Sequence, residues 1–252
     1  MAEMLRSVVI TGVSSGIGEA TAALFSSEGW EVFGISRRIP QDKDSLAHHI
    51  RGDISKQEDI DRAFHEIASI TDTLDALVNN AALQICKPLV EMNSDEWDSI
   101  FNTNVRSAFL CSKCGYPLLR KNGGAIVNVS SVHAIATSNN IAAYAASKGA
   151  LLAFTRAAAI EFGKQNIRVN AVLPGAVDTP MLREGLVRDG RSPDNQELLL
   201  KKLSKKHIMK RIGNPEEIAK AIHFLADNNL SSFVTGQGLV VDGGALCRLS
   251  TE

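Results

Sequence analysis

Alternation between two kinds of hydrophobic pattern constrains this chain most. Short β-branched runs and helical stretches follow one another along all 252 residues. Ser7-Val-Val-Ile10 reads as a buried strand, and after a glycine-rich turn Gly16 to Ser27 has helical spacing, stopped at Gly29. Further strands are expected at Trp30–Ile35, His49–Asp53, Leu74–Val78, Ala125–Val129, Asn166–Leu173 and Leu239–Val241. Helices are expected at Gln57–Ile70, from the N-cap Ser94 to about Arg120 with a distortion near Pro117, at Ile141–Gly163, and after Asn214-Pro215. Strands joined through helices pair in parallel, because the helical crossover carries the chain back to the same end of the sheet. The pattern therefore predicts an α/β fold built on one doubly wound parallel sheet with helices on both faces. No linker-like stretch divides it, so residues 1–252 are expected to form one domain. Ligands of such sheets bind beyond the carboxyl ends of the strands, where the strand order reverses.

Charge and composition exclude several partners. Lys plus Arg is 27 and Asp plus Glu is 28, a net charge of -1, so no cationic excess favours nucleic acid or an anionic membrane. No stretch approaches the ~20 apolar residues of a membrane span, and Met1 to Arg6 carries no signal-like apolar run. The expectation is a cytoplasmic protein with reduced thiols. Cys111-Ser-Lys-Cys114 has redox or metal spacing, but no second pair or histidine cluster accompanies it. No metal is expected, and the pair reads as small-residue packing inside a helix.

The first strand–helix join, Thr11-Gly12-Val13-Ser14-Ser15-Gly16-Ile17-Gly18, is the strongest local signal. Glycines let the backbone approach a phosphate, and the following helix aims its unpaired N–H groups at that anion. Placed after the first strand of a Rossmann-like pattern, the loop marks Gly12, Ser14, Ser15, Gly16, Ile17 and Gly18 as a dinucleotide cradle. Strand two should then select the coenzyme. An NAD-binding chain usually ends it with an acid, but here it ends Gly34-Ile35-Ser36-Arg37-Arg38. A guanidinium can grip a 2′-phosphate through two parallel hydrogen bonds, so Ser36, Arg37 and Arg38 favour NADP(H) over NAD(H).

Tyr144 and Lys148 are spaced i, i+4 and share a helix face, with Ser131 at a strand end and Asn104 in the helix begun near Ser94. A free tyrosine ionises near pH 10. A cation about 4 Å away is worth on the order of 4 kcal/mol at an effective dielectric of ~20, roughly three pKa units. Lys148 could thus bring Tyr144 toward the working range of a general acid/base. Ser131 could hydrogen-bond and fix a reacting oxygen.

Taken together, these residues resemble the short-chain dehydrogenase/reductase family over nearly the whole chain. The matching pieces are the Thr11 to Gly18 loop, Asp53, Asn79-Asn80-Ala81, Asn104, Ser131, Tyr144-x-x-x-Lys148 and Pro174-Gly175-x-Val177-x-Thr179. The resemblance implies an oxidoreductase that transfers a hydride between a nicotinamide coenzyme and a carbonyl or secondary alcohol. It implies Tyr144 as general acid/base, Lys148 lowering its pKa and bonding the ribose, Ser131 orienting the substrate, and Asn104 holding a water in a proton relay. It also implies that Asp53, with Ile54 beside it, meets the adenine. Asn80 and Ala81 would lie along the ribose, and Val177 and Thr179, flanked by Pro174 and Gly175, would hold the carboxamide. Ala82 departs from the family's usual glycine. Ser130 rivals Ser131, but the family's interval of thirteen residues before the tyrosine selects Ser131.

Gln84, Ser131, His133 and Tyr144 are expected to face the substrate. Gln84 and His133 resemble carboxylate-binding positions of bacterial 3-hydroxybutyrate dehydrogenases in the family. Those enzymes place a lysine three residues before the tyrosine, where this chain has Ile141, which argues against a short hydroxy acid. Thr179 to His207 reads as polar and mobile, within a substrate lid around 179–212. Its run Lys201-Lys-Leu-Ser-Lys-Lys206 reads as a solvated helix face. The small, apolar Ile141–Gly163 helix suggests subunit contact, and the family implies a homotetramer. An NAD-dependent hydroxy-acid or sugar dehydrogenase and a non-catalytic dinucleotide-sensing regulator are the alternatives.

Overall fold

The computed structural model describes residues 5–40, 44–187 and 196–247. Its strands are β1 (Ser7–Thr11), β2 (Glu31–Ser36), β3 (His48–Arg51), β4 (Ala76–Asn79), β5 (Gly124–Val129), β6 (Ile167–Pro174) and β7 (Gly238–Val241). The helices are α1 (Gly16–Ser27), α2 (Gln57–Ile70), α3 (Ser94–Phe101), α4 (Ser107–Leu119), α5 (Ala142–Phe162), α6 (Pro180–Val187), α7 (Gln196–Ser204), α8 (Pro215–Ala226) and the short α9 (Asn228–Ser231). All seven strands join one sheet in the order β3-β2-β1-β4-β5-β6-β7, every pair parallel. The order runs outward in both directions from the β1–β4 junction, and that reversal opens a crevice at the carboxyl ends.

Alternate side chains of each strand serve opposite faces. Val8 and Ile10 pack with Phe25 of α1 and Ile218 and Ile222 of α8. Val9, Leu77 and Ile126 pack with Ile60 and Phe64 of α2, Leu110 of α4 and Ala158 of α5. Central strands covered on both sides carry near-continuous apolar runs, as the sequence pattern requires. One charge interrupts them. Arg168 on β6 is 6% exposed and donates to the Leu225 and Ala226 carbonyls at 2.8 and 3.2 Å and to Ser231 Oγ at 3.0 Å. It thereby satisfies acceptors that the end of α8 leaves unpaired.

Three expectations need correction. The helix at Ser94 is capped by Asn93, whose Oδ1 accepts from Glu96 N–H at 2.9 Å while Glu96 returns the bond to Asn93 N–H at 3.0 Å. Both residues are capping types, but only Asn93 has Glu96 in place to complete the reciprocal box. The distortion in the long helix lies at a π turn, Asn102–Arg106, which separates α3 from α4. Pro117 sits in the last turn of α4 and does not divide it. The polar segment Thr179–His207 contains α6 and α7. Part of that lid (188–195), part of the loop after Arg38 (41–43) and the first residues of the N-terminal stretch (1–4) lie outside the described residues. The other boundaries coincide, as for Gly16–Ser27 and Gln57–Ile70, or differ by one or two residues. Cys111 is part of the core and Cys114 packs against it, burial raising both thiols, Cys114 to about 11.

Candidate active site

A cleft of about 930 Å³ lies along the carboxyl ends of the strands. Every residue assigned a catalytic, coenzyme-binding or substrate-facing role from the sequence lines it except Asn104.

Its floor is the β1–α1 loop. Gly12 adopts φ +75, and a Cβ there would meet Ala81 Cα at 2.8 Å. A Cβ on Gly18 would meet the Gly12 carbonyl oxygen at 2.1 Å. Only glycine lets this turn close so tightly on the β4 end. Asn80 Nδ2 clamps it by donating to the Thr11 and Gly12 carbonyls at 2.9 and 3.2 Å, and Thr11 Oγ1 accepts from the Asn80 and Ala81 N–H groups at 3.0 and 3.1 Å. Asn80 therefore fixes the loop itself. Helix α1 opens at Ser15 with no side-chain cap bond, so its first turn presents unpaired N–H groups and a positive dipole end to the cleft. These features fit a dinucleotide pyrophosphate. At the far end, Ser36, Arg37 and Arg38 line the cleft with both guanidinium side chains exposed. Asp53 faces the same end, its Oδ1 accepting from Ser55 N–H and Oγ–H at 3.0 and 2.8 Å. Opposite, Val177 is tied to Gly213 by a bridge, and Thr179 Oγ1 accepts from Leu182 N–H at 3.2 Å at the start of α6.

The middle of the cleft is built from β5 and α5. Ser131 follows β5 and hydrogen-bonds Tyr144. Ser130, its rival, is turned away: its hydroxyl donates to the Lys148 carbonyl at 2.9 Å. Lys148 is 2% exposed, its Nζ 5.5 Å from the Tyr144 ring centroid and donating to the Val129 carbonyl at 2.7 Å. Burial pushes Tyr144 up to about 12, with the Ser131 bond opposing and Cys86 adding to the rise. Burial pushes Lys148 down to about 7. This departs from the sequence expectation of a phenol simply lowered by its neighbouring ammonium, because desolvation outweighs other effects for both groups.

Asn104 stands behind this wall on the π turn. Its Oδ1 accepts from Leu83 N–H at 2.7 Å, and its Nδ2 donates to the Leu83 carbonyl and to Ser147 Oγ, each at 2.9 Å. Ser147 Oγ in turn donates to the Tyr144 carbonyl at 2.7 Å. The Asn104 amide is thus a brace between the β4 exit and α5. Gln84 and His133 line the cleft beside Tyr144, the His133 ring edge-on to it at 6.0 Å. Burial lowers the His133 pKa, so the ring is neutral at pH 7. Sequence reasoning missed Cys86, which reaches Tyr144 only through the fold, and Ser147, one turn along α5 from Tyr144, whose link to Asn104 only the fold creates. Among the described residues no helix is long and apolar enough to cross a membrane.

Fold and site together define an oxidoreductase of the nicotinamide-dependent kind. A family model described as enoyl-(acyl carrier protein) reductase matches residues 12–245. Cyclopentanol dehydrogenase from Comamonas sp. is 36% identical over 94% of this chain and 95% of its own. The ligand-free Thermoplasma acidophilum aldohexose dehydrogenase superposes with a TM-score of 0.91 at 33% identity, covering 98% of this chain and 96% of that one. ElxO with NADP bound gives a TM-score of 0.87 at 30% identity (97% and 100% covered). The Brucella melitensis 3-ketoacyl-(acyl-carrier-protein) reductase complexed with NADH gives 0.85 at 31% (95% and 98% covered). The chain belongs to the short-chain dehydrogenase/reductase family, and it is an NAD(P)-dependent enzyme acting on CH–OH groups or the matching carbonyls.

Proposed function

We propose that this enzyme interconverts an uncharged ketone and its secondary alcohol with a preference for NADP(H). The observation that carries the chemistry is the Ser131-bonded hydroxyl of Tyr144 in the cleft, with the Lys148 ammonium beside its ring. A nicotinamide dinucleotide held by the Gly12–Gly18 loop would supply or accept the hydride. Tyr144 gives its proton to the carbonyl oxygen in reduction and takes it back in oxidation. Ser131 shares that oxygen and fixes its position. Lys148 stabilises the phenolate and would hydrogen-bond the ribose of a bound coenzyme. Asn104 supports proton relay through the π turn it anchors, since its side-chain amide is already committed to Leu83 and Ser147.

Coenzyme preference rests on Arg37 and Arg38 at the end of β2, where the segment Gly34 to Arg38 contains no carboxylate. Family likeness does not choose, because the similar structures hold NADP in one case and NADH in the other. An uncharged substrate is favoured because His133, beside Tyr144, is neutral, and Ile141, where the hydroxybutyrate enzymes carry a lysine, is apolar and buried outside the cleft, so neither position offers a carboxylate a charge. Met181, Leu182, Leu186 and Leu203 add an apolar wall from the lid around 179–212. That matches the alicyclic alcohol named for the Comamonas relative.

A single domain operating in the cytoplasm as a homotetramer completes the proposal. Ile160 on α5 and Phe109 on α4 are 81% and 47% exposed, an apolar surface suited to subunit contact. Light scattering at micromolar concentration should give the four-chain mass, and a monomer would contradict it. For the chemistry, a panel of ketones and secondary alcohols is followed at the reduced-nicotinamide absorbance with both coenzymes. Tyr144→Phe should lose at least about 10²-fold in kcat on the best substrate. Near-full activity in that variant would overturn the mechanism.

A further inference from the structure

We propose that His49 is a positioning residue that sets the Arg37–Arg38 turn and thereby sharpens recognition of the 2′-phosphate. This rests on the NADP(H) reading above. β3 pairs with β2 so that His49 lies across from Gly34 and Arg51 from Ser36. At the end of that pairing, Ser36 Oγ donates to the Arg38 carbonyl at 2.6 Å and lies 3.0 Å from His49 Nε2. A serine hydroxyl has one proton to give. Since that proton goes to the Arg38 carbonyl, the His49 Nε2–H must be the donor to Ser36 Oγ. The Arg38 carbonyl is thus held twice, through Ser36 and by the His49 ring itself, which also hydrogen-bonds that carbonyl.

These bonds lie where the ladder stops. The last β2–β3 register pair is Ser36 with Arg51, and past it the chain bends through Arg37 and Arg38. Two exposed arginines on a free bend would spend entropy to converge on one phosphate. With the Arg38 carbonyl tied back to the sheet edge, the bend keeps one shape and less is lost on binding. Burial lowers the His49 pKa, opposed by the Arg38 carbonyl and reinforced by the neighbouring Arg51. The ring is therefore neutral at pH 7, and its part is geometric.

The test compares His49→Leu, which removes the donor, with His49→Gln, which keeps an N–H, and with Ser36→Ala, which removes the linking hydroxyl. Calorimetry on the full-length proteins measures the affinities of adenosine 2′,5′-bisphosphate, 5′-AMP, NADPH and NADH, and melting is recorded beside them. His49→Leu and Ser36→Ala should each cut the preference for the 2′-phosphorylated ligand about five- to tenfold, the worth of one ordering hydrogen bond. His49→Gln should recover most of it. A residue that merely braces the sheet edge would lower the melting temperature and leave the ratio alone, and an unchanged ratio in the folded variants overturns the inference. So does an equal fall in His49→Gln. Arg37→Asp separates the two levels. If it alone collapses the ratio, the His49 inference fails and the NADP(H) reading stands; if it too leaves the ratio unchanged, the reading itself has failed.

Discussion

Replacing Lys148 with Met tests the central pairing at nearly constant side-chain length. Burial holds Tyr144 at about 12 and Lys148 at about 7. Two interacting groups lose protons as a pair, so the first proton leaves near neutrality whichever atom it comes from. A pair one proton short is the base that alcohol oxidation needs. In Lys148→Met only the phenol remains, and a group at about 12 is ionised in roughly one molecule in 10⁴ at pH 8. Coulomb attraction gives an independent lower figure: with the ammonium 5.5 Å from the ring centroid and an effective dielectric of ~20, the interaction is about 3 kcal/mol, or roughly 10²-fold. The expected loss in kcat for oxidation at pH 8 therefore lies between about 10²- and 10⁴-fold. Steady-state rates at saturating coenzyme and alcohol, followed by reduced-nicotinamide absorbance from pH 6 to 10, check this. The parent enzyme should level off above about pH 7, whereas the variant should keep rising about tenfold per pH unit. Stability carries a second signature. The folded-state value of Lys148 lies below its unfolded value, so between about 7 and 10.5 the unfolded chain binds more protons. The parent should gain stability across that window, and the melting difference from the variant should move in the parent's favour. A variant that levels off at the same pH with less than a tenfold loss in kcat would refute the pairing.

Arg37→Asp should raise the Michaelis constant for NADPH by at least about tenfold through loss of a charge-assisted fork, and should lower that for NADH. Kinetics with both coenzymes decide it, and an unchanged ratio removes the NADP(H) preference. Gly18→Ala places a Cβ 2.1 Å from the Gly12 carbonyl, so the cradle must spread. It should cost about 1–3 kcal/mol in urea melts and weaken dinucleotide binding in calorimetry, while parent-like values for both would show the loop to be looser than its geometry.

Much of the fold is legible because a parallel sheet covered on both faces leaves a coarse mark. Val8-Val9-Ile10 and Ala125–Val129 can only be buried strands, and the glycines of the first turn mark where the crevice opens. Tyr144 and Lys148 are legible because helical spacing places them on one face before any tertiary contact is known. What was missed depends on competition between neighbours. Asn93 and Ser94 are both good caps, and Glu96 decides between them. The π turn at Asn102–Arg106 has no compositional sign, because the side-chain bonds of Asn104 to Leu83 and Ser147 come from elements far along the chain. Arg168 reads as a surface charge until the end of α8 arrives to accept its protons. Desolvation of the tyrosine–lysine pair is invisible in the same way, since spacing gives the contact but not the burial that pushes both groups toward their neutral forms.

These differences separate chemistry from choice. Tyr144, Lys148 and Ser131 stand on α5 and the end of β5, and the layers beneath them are tied by buried amides. Asn79 Nδ2 donates to Asn128 Oδ1 at 2.9 Å, Asn128 Nδ2 donates to Thr155 Oγ1 at 2.9 Å, and Asn104 joins Ser147 under the tyrosine. Such bonds are strong in a low-dielectric interior and fix one arrangement of β4, β5, α4 and α5. Proton transfer needs that rigidity, because a displacement of about 1 Å can cost on the order of 10²-fold in rate. On the proposed reading, coenzyme and substrate are chosen elsewhere, by the Arg37–Arg38 bend and by lid residues such as Met181 and Leu203, all on turns or short helices at the edge of the cleft. Segments of that kind can change without disturbing the sheet. The reaction class is therefore written into periodic, buried elements that a sequence displays. On the proposed reading, the substrate is written into the cleft's rim, where lid residues such as Met181 and Leu203 can differ while the catalytic group stays intact.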